Sequence, residues 1–536
     1  MSTSGRYPSA AATTPRVAAP WALSTTLAPS ALFGANGMKV GPDGQLYVAQ
    51  AFGSQVSALD TESGAARTVI PVGDAVVAPD DLAFDSHGTL YMTEVMSERV
   101  SARLPDGTLR VIAENVPVAN GITSHGDRIF MDEFRSDGRV LELYNDGRAP
   151  RVIAEHLNFP NALAMGPDDH LYFPQVVDGE IWRVPASGGV AERIISGLAF
   201  PTAVKFSPRG ELYTVEGASG DITRIDLHSR ARTTIARVRP GIDNFAFSPD
   251  GRLFVSHFVD GGVAEIEAGG RERVLVAAGM LGPFGLACGA DGRLYVADGM
   301  SLAVHGRDGA LLARHALLVD HTFPGFARGV TVDATGAAYI TTSAGAVSRY
   351  RSGEPTVALA TALERPTGLA LTADGSLLVC ETGGGRLLLI TAGGATSTLA
   401  RGLAAPLAVV AMADGSCYVS ESGAGRVLHV VNGHSTAVMS GLREPQGLAW
   451  MHDSLFVIDR AAKTLHRYTP ASGHREVVAE QLPVGAAPGI VPKTLPGLGE
   501  LMPGPLLPFA DLAASSDGRL LIGADGAGAV LALSRA

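Results

Sequence analysis

Apolar and polar positions along this chain repeat one phrase. A short apolar segment is followed by an Asp-Gly turn, a second apolar segment ending in a polar residue, and two weaker segments. The phrase opens at Gly37 (GMKVGPDGQLYVAQ), Asp81 (DLAFDSHGTLYMTE), Gly121, Ala162, Ala203 and Asn244. It continues at Gly285, Gly329, Gly368, Ala408, Gly447 and Asp511. Runs such as LYVAQ and LYMTE are short and rich in strand formers, and the Asp-Gly pairs between them are hairpin signals. No segment carries a helical period with caps. The pattern predicts an all-β chain in which each phrase is one four-stranded sheet.

Successive phrases start roughly 40 residues apart, the spacing of four-stranded propeller blades. The twelve phrases exceed one ring, because propellers typically hold about four to eight blades. The last phrase, from Asp511, ends at GAVLALSRA without a fourth strand, while a stray strand, PWALSTTLA, precedes the first phrase. These ends predict two tandem six-bladed β-propellers, each closed by a 3+1 strand clasp that leaves no open sheet edge. The expected divisions are a flexible lead at 1–19, a first propeller at 20–269 and a second at 270–536, beginning with RERVLVAA. A Pro- and Gly-rich stretch at 483–510 reads as an extended loop packed over a ring surface, or as a lid or strap.

Composition narrows the function. With 42 basic and 53 acidic residues the formal net charge is −11, which argues against a general nucleic-acid or anionic-membrane surface. The three cysteines, Cys288, Cys380 and Cys417, form no CxxC pair and read as small buried hydrophobes on strands. The N-terminal stretch has no signal-peptide core and no long apolar span occurs, so the expected location is cytoplasmic. GxSxG, HExxH and phosphate-loop motifs are absent.

Two positions in each propeller blade face the mouth of the ring: the residue before the inner strand, and the polar residue ending the second strand. The first position reads Asn36, Asp80, Asn120, Asn161, Thr202 and Asp243 in the first half, against Phe284, Arg328, Thr367, Leu407, Gln446 and Ala510 in the second. Asn and Asp before a strand are also ordinary turn formers. It is the contrast between the halves that argues for a polar site, with oxygen donors that suit a hard cation such as Ca²⁺. The second position supplies Gln50, Glu94, Asp132 or Glu133, Gln175, Glu216 and His257 in the first half. His257 is the attractive proton-transfer group there, because imidazole titrates near neutrality. In the second half the phrases ETGGGR and ESGAGR read as repeated ion pairs within a blade, Glu381 with Arg386 and Glu421 with Arg426.

The segments VANGITSHGDRIFMDE and FPNALAMGPDDHLYFPQ resemble blades of the senescence marker protein/gluconolactonase superfamily, which includes paraoxonase-like and strictosidine-synthase-like propellers. The second half has the character of NHL-type repeats. The resemblance implies a metal-dependent hydrolase of a lactone or ester, with a divalent cation (Ca²⁺ first, then Mg²⁺, Mn²⁺ or Zn²⁺) held by Asp80, Asn120, Asn161 and Asp243. That set is rotated against the family's usual ring order. Catalytic expectations fall on His257, Glu94, Glu216 and Glu133, and substrate-binding expectations on Asn36, Gln50, Gln175 and Thr202. A lyase or cyclase on the same fold and a non-catalytic NHL-like binding platform are the alternatives. The expected partner is a small-molecule substrate, without nucleic acid or membrane. The second propeller would serve as scaffold, lid support or homo-oligomer surface.

Overall fold

The structure, a computed structural model, describes residues 14–73, 75–317, 319–320, 322–486, 495–498 and 509–536. Much of the 483–510 stretch and the start of the 1–19 lead therefore lie outside the described residues. The described chain is all-β apart from one three-residue 3₁₀ turn, Ser422–Ala424. Its strands form twelve antiparallel sheets, eleven with four strands and one with five.

The sheets divide between two compact units. The first unit is built on Ser30–Gly279, the second on the strands from Pro283 onward together with Trp21–Leu27. In the first unit six sheets follow one another in chain order, each a simple meander of four strands. Their inner strands are Ala35–Val40, Pro79–Phe84, Ala119–His125, Ala164–Met165, Pro201–Phe206 and Ile242–Phe247. Each inner strand touches that of the next sheet, and the sixth touches the first. The second unit repeats this cycle with inner strands from Pro283–Cys288 to Leu512–Ala514.

The closure differs from the expected clasps. The strand Trp21–Leu27 pairs with Ala529–Arg535, from Trp21 opposite Arg535 to Leu27 opposite Val530, and so completes the last sheet of the second unit. Trp21 packs edge-on against Phe456, with ring centroids 5.8 Å apart. The lead is also partly a strand, since Arg16–Val17 pairs with Glu480 and Ala479. Conversely, Glu272–Val276 pairs with Gly262–Ile266 and belongs to the first unit. A tight turn joins these two strands, in which Glu267 N–H donates to Arg271 C=O at 2.9 Å, and so short a loop costs little closure entropy.

The first unit therefore has no 3+1 clasp. Its sixth sheet is fastened to the first by side chains. The Ser256 hydroxyl donates to Asn36 C=O at 2.7 Å, and Ser30 Oγ donates to Gly261 C=O at 3.0 Å. Arg252 and Arg273 donate to Thr61 C=O at 3.0 and 2.6 Å.

Within a sheet, apolar residues of alternating strand positions pack against the neighbouring sheet. Met38, Leu46, Val48 and Leu59 meet Ala246, Phe254, Val263 and Val276 in one such layer. All three cysteines are free and lie on strands, with Cys380 and Cys417 buried.

Candidate functional site at the axis of the first unit

At the start of the repeated phrase the six sheets carry, in chain order, Gly37, Asp81, Gly121, Ala162, Ala203 and Asn244, four of them small. The space this leaves is filled by polar side chains. Gly37 is required at its position, because a Cβ there would sit 2.4 Å from Asp81 Oδ1 and from Asp80 C=O. Gly121 likewise clears room for Asp132, whose Oδ2 would lie 2.4 Å from a Cβ at 121.

Asp81, fully buried, is the hub. Its Oδ1 accepts from Asn244 Nδ2 at 3.2 Å, and its Oδ2 accepts from Ile122 N–H at 3.2 Å and from Lys205 Nζ at 3.4 Å. One carboxylate on the second sheet thus ties the third, fifth and sixth sheets together. Beside it, Asn36 Nδ2 donates to Asp80 Oδ1 at 2.7 Å. Gly121 N–H donates to Asp132 Oδ1 at 2.9 Å, while Asp132 Oδ2 and Asn36 Oδ1 are buried without a hydrogen-bond partner.

Four carboxyl groups so close together cannot all ionise freely. Burial, then the charges of Asp243, Asp81 and Asp132, push Asp80 well above the usual carboxyl range, against the bond from Asn36. Burial and the Asp81 charge lift Asp243 to about 7, opposed by Lys205. Asp132 is lifted to about 7 chiefly by burial, with the Gly121 N–H opposing. Burial and the Lys205 ammonium lower Lys39 to about 8. Asp132, Asp243 and Lys39 are poised to take or give a proton near neutrality.

Of the expected ring, Asn36, Asp80 and Asp243 are brought into this cluster. Thr202 donates instead to Ile242 C=O at 3.4 Å. Asn161 precedes its inner strand and is held by a backbone bond, its N–H to Pro174 C=O at 3.2 Å. Asn120 contributes its carbonyl as an acceptor for the Thr93 hydroxyl. Among the described residues, no group of three or more His, Cys, Asp or Glu side chains is placed to hold a metal ion. Two of the axial carboxylates, Asp80 and Asp81, already accept bonds from Asn36, Asn244 and Lys205.

The residues that end each second strand have a shared structural task. In four of the six sheets of the first unit this residue reaches back to the backbone N–H seventeen residues earlier. Gln50 Oε1 accepts from Phe33 at 2.8 Å, Glu94 from Val77 at 2.6 Å, Gln175 from Asn158, and Glu216 from Ala199 at 2.6 Å. The second unit repeats the clip with Asp298, Glu381 and Glu421. Glu94 also holds Arg99 at 2.8 Å, and Glu216 accepts from Thr223 Oγ1 at 3.0 Å. Gln50 donates to Ser57 Oγ at 2.8 Å, and Gln175 lines a cavity of about 560 Å³ with Leu157, Trp182 and Val190. Glu133 is taken by Arg135 and Arg139, so the third sheet turns Asp132, not Glu133, toward the axis.

His257 occupies this same position in the sixth sheet, and its partner seventeen residues back is Pro240, which has no N–H to give. A donor replaces the acceptor: His257 Nε2 bonds Arg239 C=O at 3.2 Å, leaving Nδ1 buried without a partner. Burial and the Arg239 charge lower its pKa to about 4. The imidazole is therefore neutral at pH 7 and is held to the backbone through Nε2.

Sequence reasoning missed Asp81, Asn244, Lys39 and Lys205. The available signal was a lysine inside two otherwise apolar inner strands, ANGMKV and PTAVKF. Among the described residues, the second unit has no comparable acidic cluster. There the Arg328 guanidinium lies 4.4 Å from the Phe284 ring centroid, Thr367 Oγ1 donates to Leu407 C=O at 2.9 Å, and Gln446 accepts Ala510 N–H at 2.9 Å. Glu381 with Arg386 and Glu421 with Arg426 form the expected ion pairs.

No curated protein matches the chain. Among solved structures it is similar to virginiamycin B lyase from Staphylococcus aureus, at 16% identity over 52% of this chain and 95% of that one, with a TM-score of 0.38. A streptogramin B lyase is similar at 16% identity over 60% and 94%, with a TM-score of 0.34. A nidogen/laminin complex is similar at 19% identity over 37% and 78%, with a TM-score of 0.34. The family model for virginiamycin B lyase, a propeller family, matches residues 24–297 and again 199–467. The propeller reading stands on that match, whereas the gluconolactonase-type assignment finds no support in it. With its first match spanning all six sheets of the first unit, the chain belongs to the virginiamycin B lyase family.

Proposed function

We propose that each unit is a six-bladed propeller and that the first is a lyase. It would open an ester or lactone of a small organic substrate by elimination at the axial mouth. The observation that carries this reading is the convergence of Asp80, Asp81, Asp132 and Asp243 on one axis, inside the segment that the lyase family model covers.

An elimination needs a base beside an acidic C–H bond. A carboxylate of the Asp80 and Asp243 pair takes the proton from the carbon next to a carbonyl. The electron pair forms a C=C bond, and the neighbouring C–O bond breaks to release a carboxylate or alkoxide. No water is consumed. Asp243 is half-buried and Asp80 is 7% exposed, so Asp243 is the member open to a ligand. Lactone hydrolysis, the chemistry the sequence resemblance implied, would consume water, and the two are separable by mass.

The experiment incubates the purified protein in ¹⁸O-labelled water with virginiamycin B, quinupristin and a panel of lactones. Elimination gives a product of unchanged mass, a new C=C absorbance and no label. Hydrolysis adds one labelled water. Asp243→Asn is expected to slow turnover about 100- to 10,000-fold, the usual loss of a general base. A labelled product refutes elimination. No turnover of any compound, with unaltered ligand binding, favours the binding-platform alternative.

A further inference from the structure

We infer that Lys205 is the built-in cation of the first unit, an ammonium group from the chain itself standing where a divalent metal would otherwise balance the axial carboxylates. Four aspartates press on one another around the axis, and such a cluster is relieved by protonation or by a positive charge close to it. The chain supplies it from the fifth sheet. Lys205 Nζ lies 3.4 Å from Asp81 Oδ2, with side chains 12% and 0% exposed. The bonds from Asn244 and Ile122 complete the same carboxylate, so both Asp81 oxygens are engaged by protein donors.

A metal at this point would have to displace the ammonium or share the carboxylate with it at close range. Both are costly in a buried site, because like charges there are poorly screened. The described residues offer no arrangement of three or more acidic or imidazole ligands that would repay that cost. Lys39 stands at the equivalent position of the first inner strand and adds a second amine to the channel. Charge balance at the axis does not depend on which bond a substrate loses, so turnover data do not enter the test.

The test compares the full-length wild-type protein with Lys205→Met and Lys205→Arg by elemental analysis and by thermal melting with millimolar Ca²⁺, Mg²⁺ or Mn²⁺, or with EDTA. Wild type is expected to carry no stoichiometric divalent metal and to melt at the same temperature in metal and in EDTA. Lys205→Met, which keeps the stem and removes the charge, is expected to melt several degrees lower than wild type, with or without a divalent ion. Lys205→Arg is expected to behave as wild type. A stoichiometric metal in the wild-type protein, or a fall in its melting temperature with EDTA, overturns the inference. So does a folded Lys205→Met that melts at the wild-type temperature. If Lys205→Met does not fold, the wild-type metal content and EDTA response decide the question alone.

Discussion

Replacing Asp243 by Asn tests the electrostatics of the axis directly. In the folded protein Asp243 is lifted to about 7, from an ordinary value of 3.8. Below pH 4 the carboxyl is protonated in both folded and unfolded chains and makes no pH-dependent contribution. As pH rises from 4 to 7 the unfolded chain gives up the proton while the folded one keeps it, so stability falls with rising pH. Each pH unit separating the folded and unfolded titrations is worth about 1.4 kcal/mol, so their separation has a ceiling of about 4 kcal/mol. Asp243 is half-buried, and water reaching it lowers the expected cost to about 2 kcal/mol.

Asn keeps the shape and removes the charge, including its pressure on Asp80. Asp243→Asn should therefore match wild type at pH 4 and exceed it by about 2 kcal/mol at pH 8. For a unit of this size that corresponds to a gain of roughly 4–8 °C in melting temperature. Differential scanning calorimetry at pH 4, 6 and 8 measures it. An equal effect at every pH, or a variant less stable than wild type at pH 8, refutes the reasoning. The second outcome is what a charge held by a bound cation would give. The same substitution should cost the proposed activity, the usual exchange between stability and function at an active site.

Two further outcomes follow from the closure and the backbone clips. Deleting residues 1–28 removes the strand paired with Ala529–Arg535. Limited proteolysis should then cut the second unit first and leave the Ser30–Gly279 unit protected, whereas a 3+1 clasp on the first unit would give the reverse. Glu94→Ala should destabilise by about 3 kcal/mol in denaturant unfolding, as expected for breaking a buried ion pair. It should leave turnover per folded molecule unchanged, because Glu94 is occupied by Val77 N–H and Arg99. A selective loss of turnover would instead place Glu94 in the reaction.

The repeat, the strand boundaries and the contrast between the halves were legible in the sequence because they are local. Alternation along GMKVGPDGQLYVAQ and its Asp-Gly turn settle one hairpin without reference to the rest of the chain. Asn36, Asp80 and Asp243 were found in the same way, by their common place before the inner strand. The partner of Trp21–Leu27 was not legible. Its alternation suits any open sheet edge, and only the full set of pairings shows that Ala529–Arg535 takes it.

Chemistry at the axis was hidden for a related reason. Register shifts at the start of the inner strands, as between Pro79 and Leu82, leave adjacent acids such as Asp80 and Asp81 both at the axis. Strict alternation would have chosen one. The place of His257 at the end of its strand was legible, but not its bond to Arg239 C=O, which Pro240 imposes seventeen residues back. Sequence by itself determined which segments become strands and how many sheets they make, since hairpins form from neighbours. Tertiary structure alone decided which edges close on which, and which carboxylates meet. Those contacts join residues far apart in the chain, as Asp81 and Lys205 are.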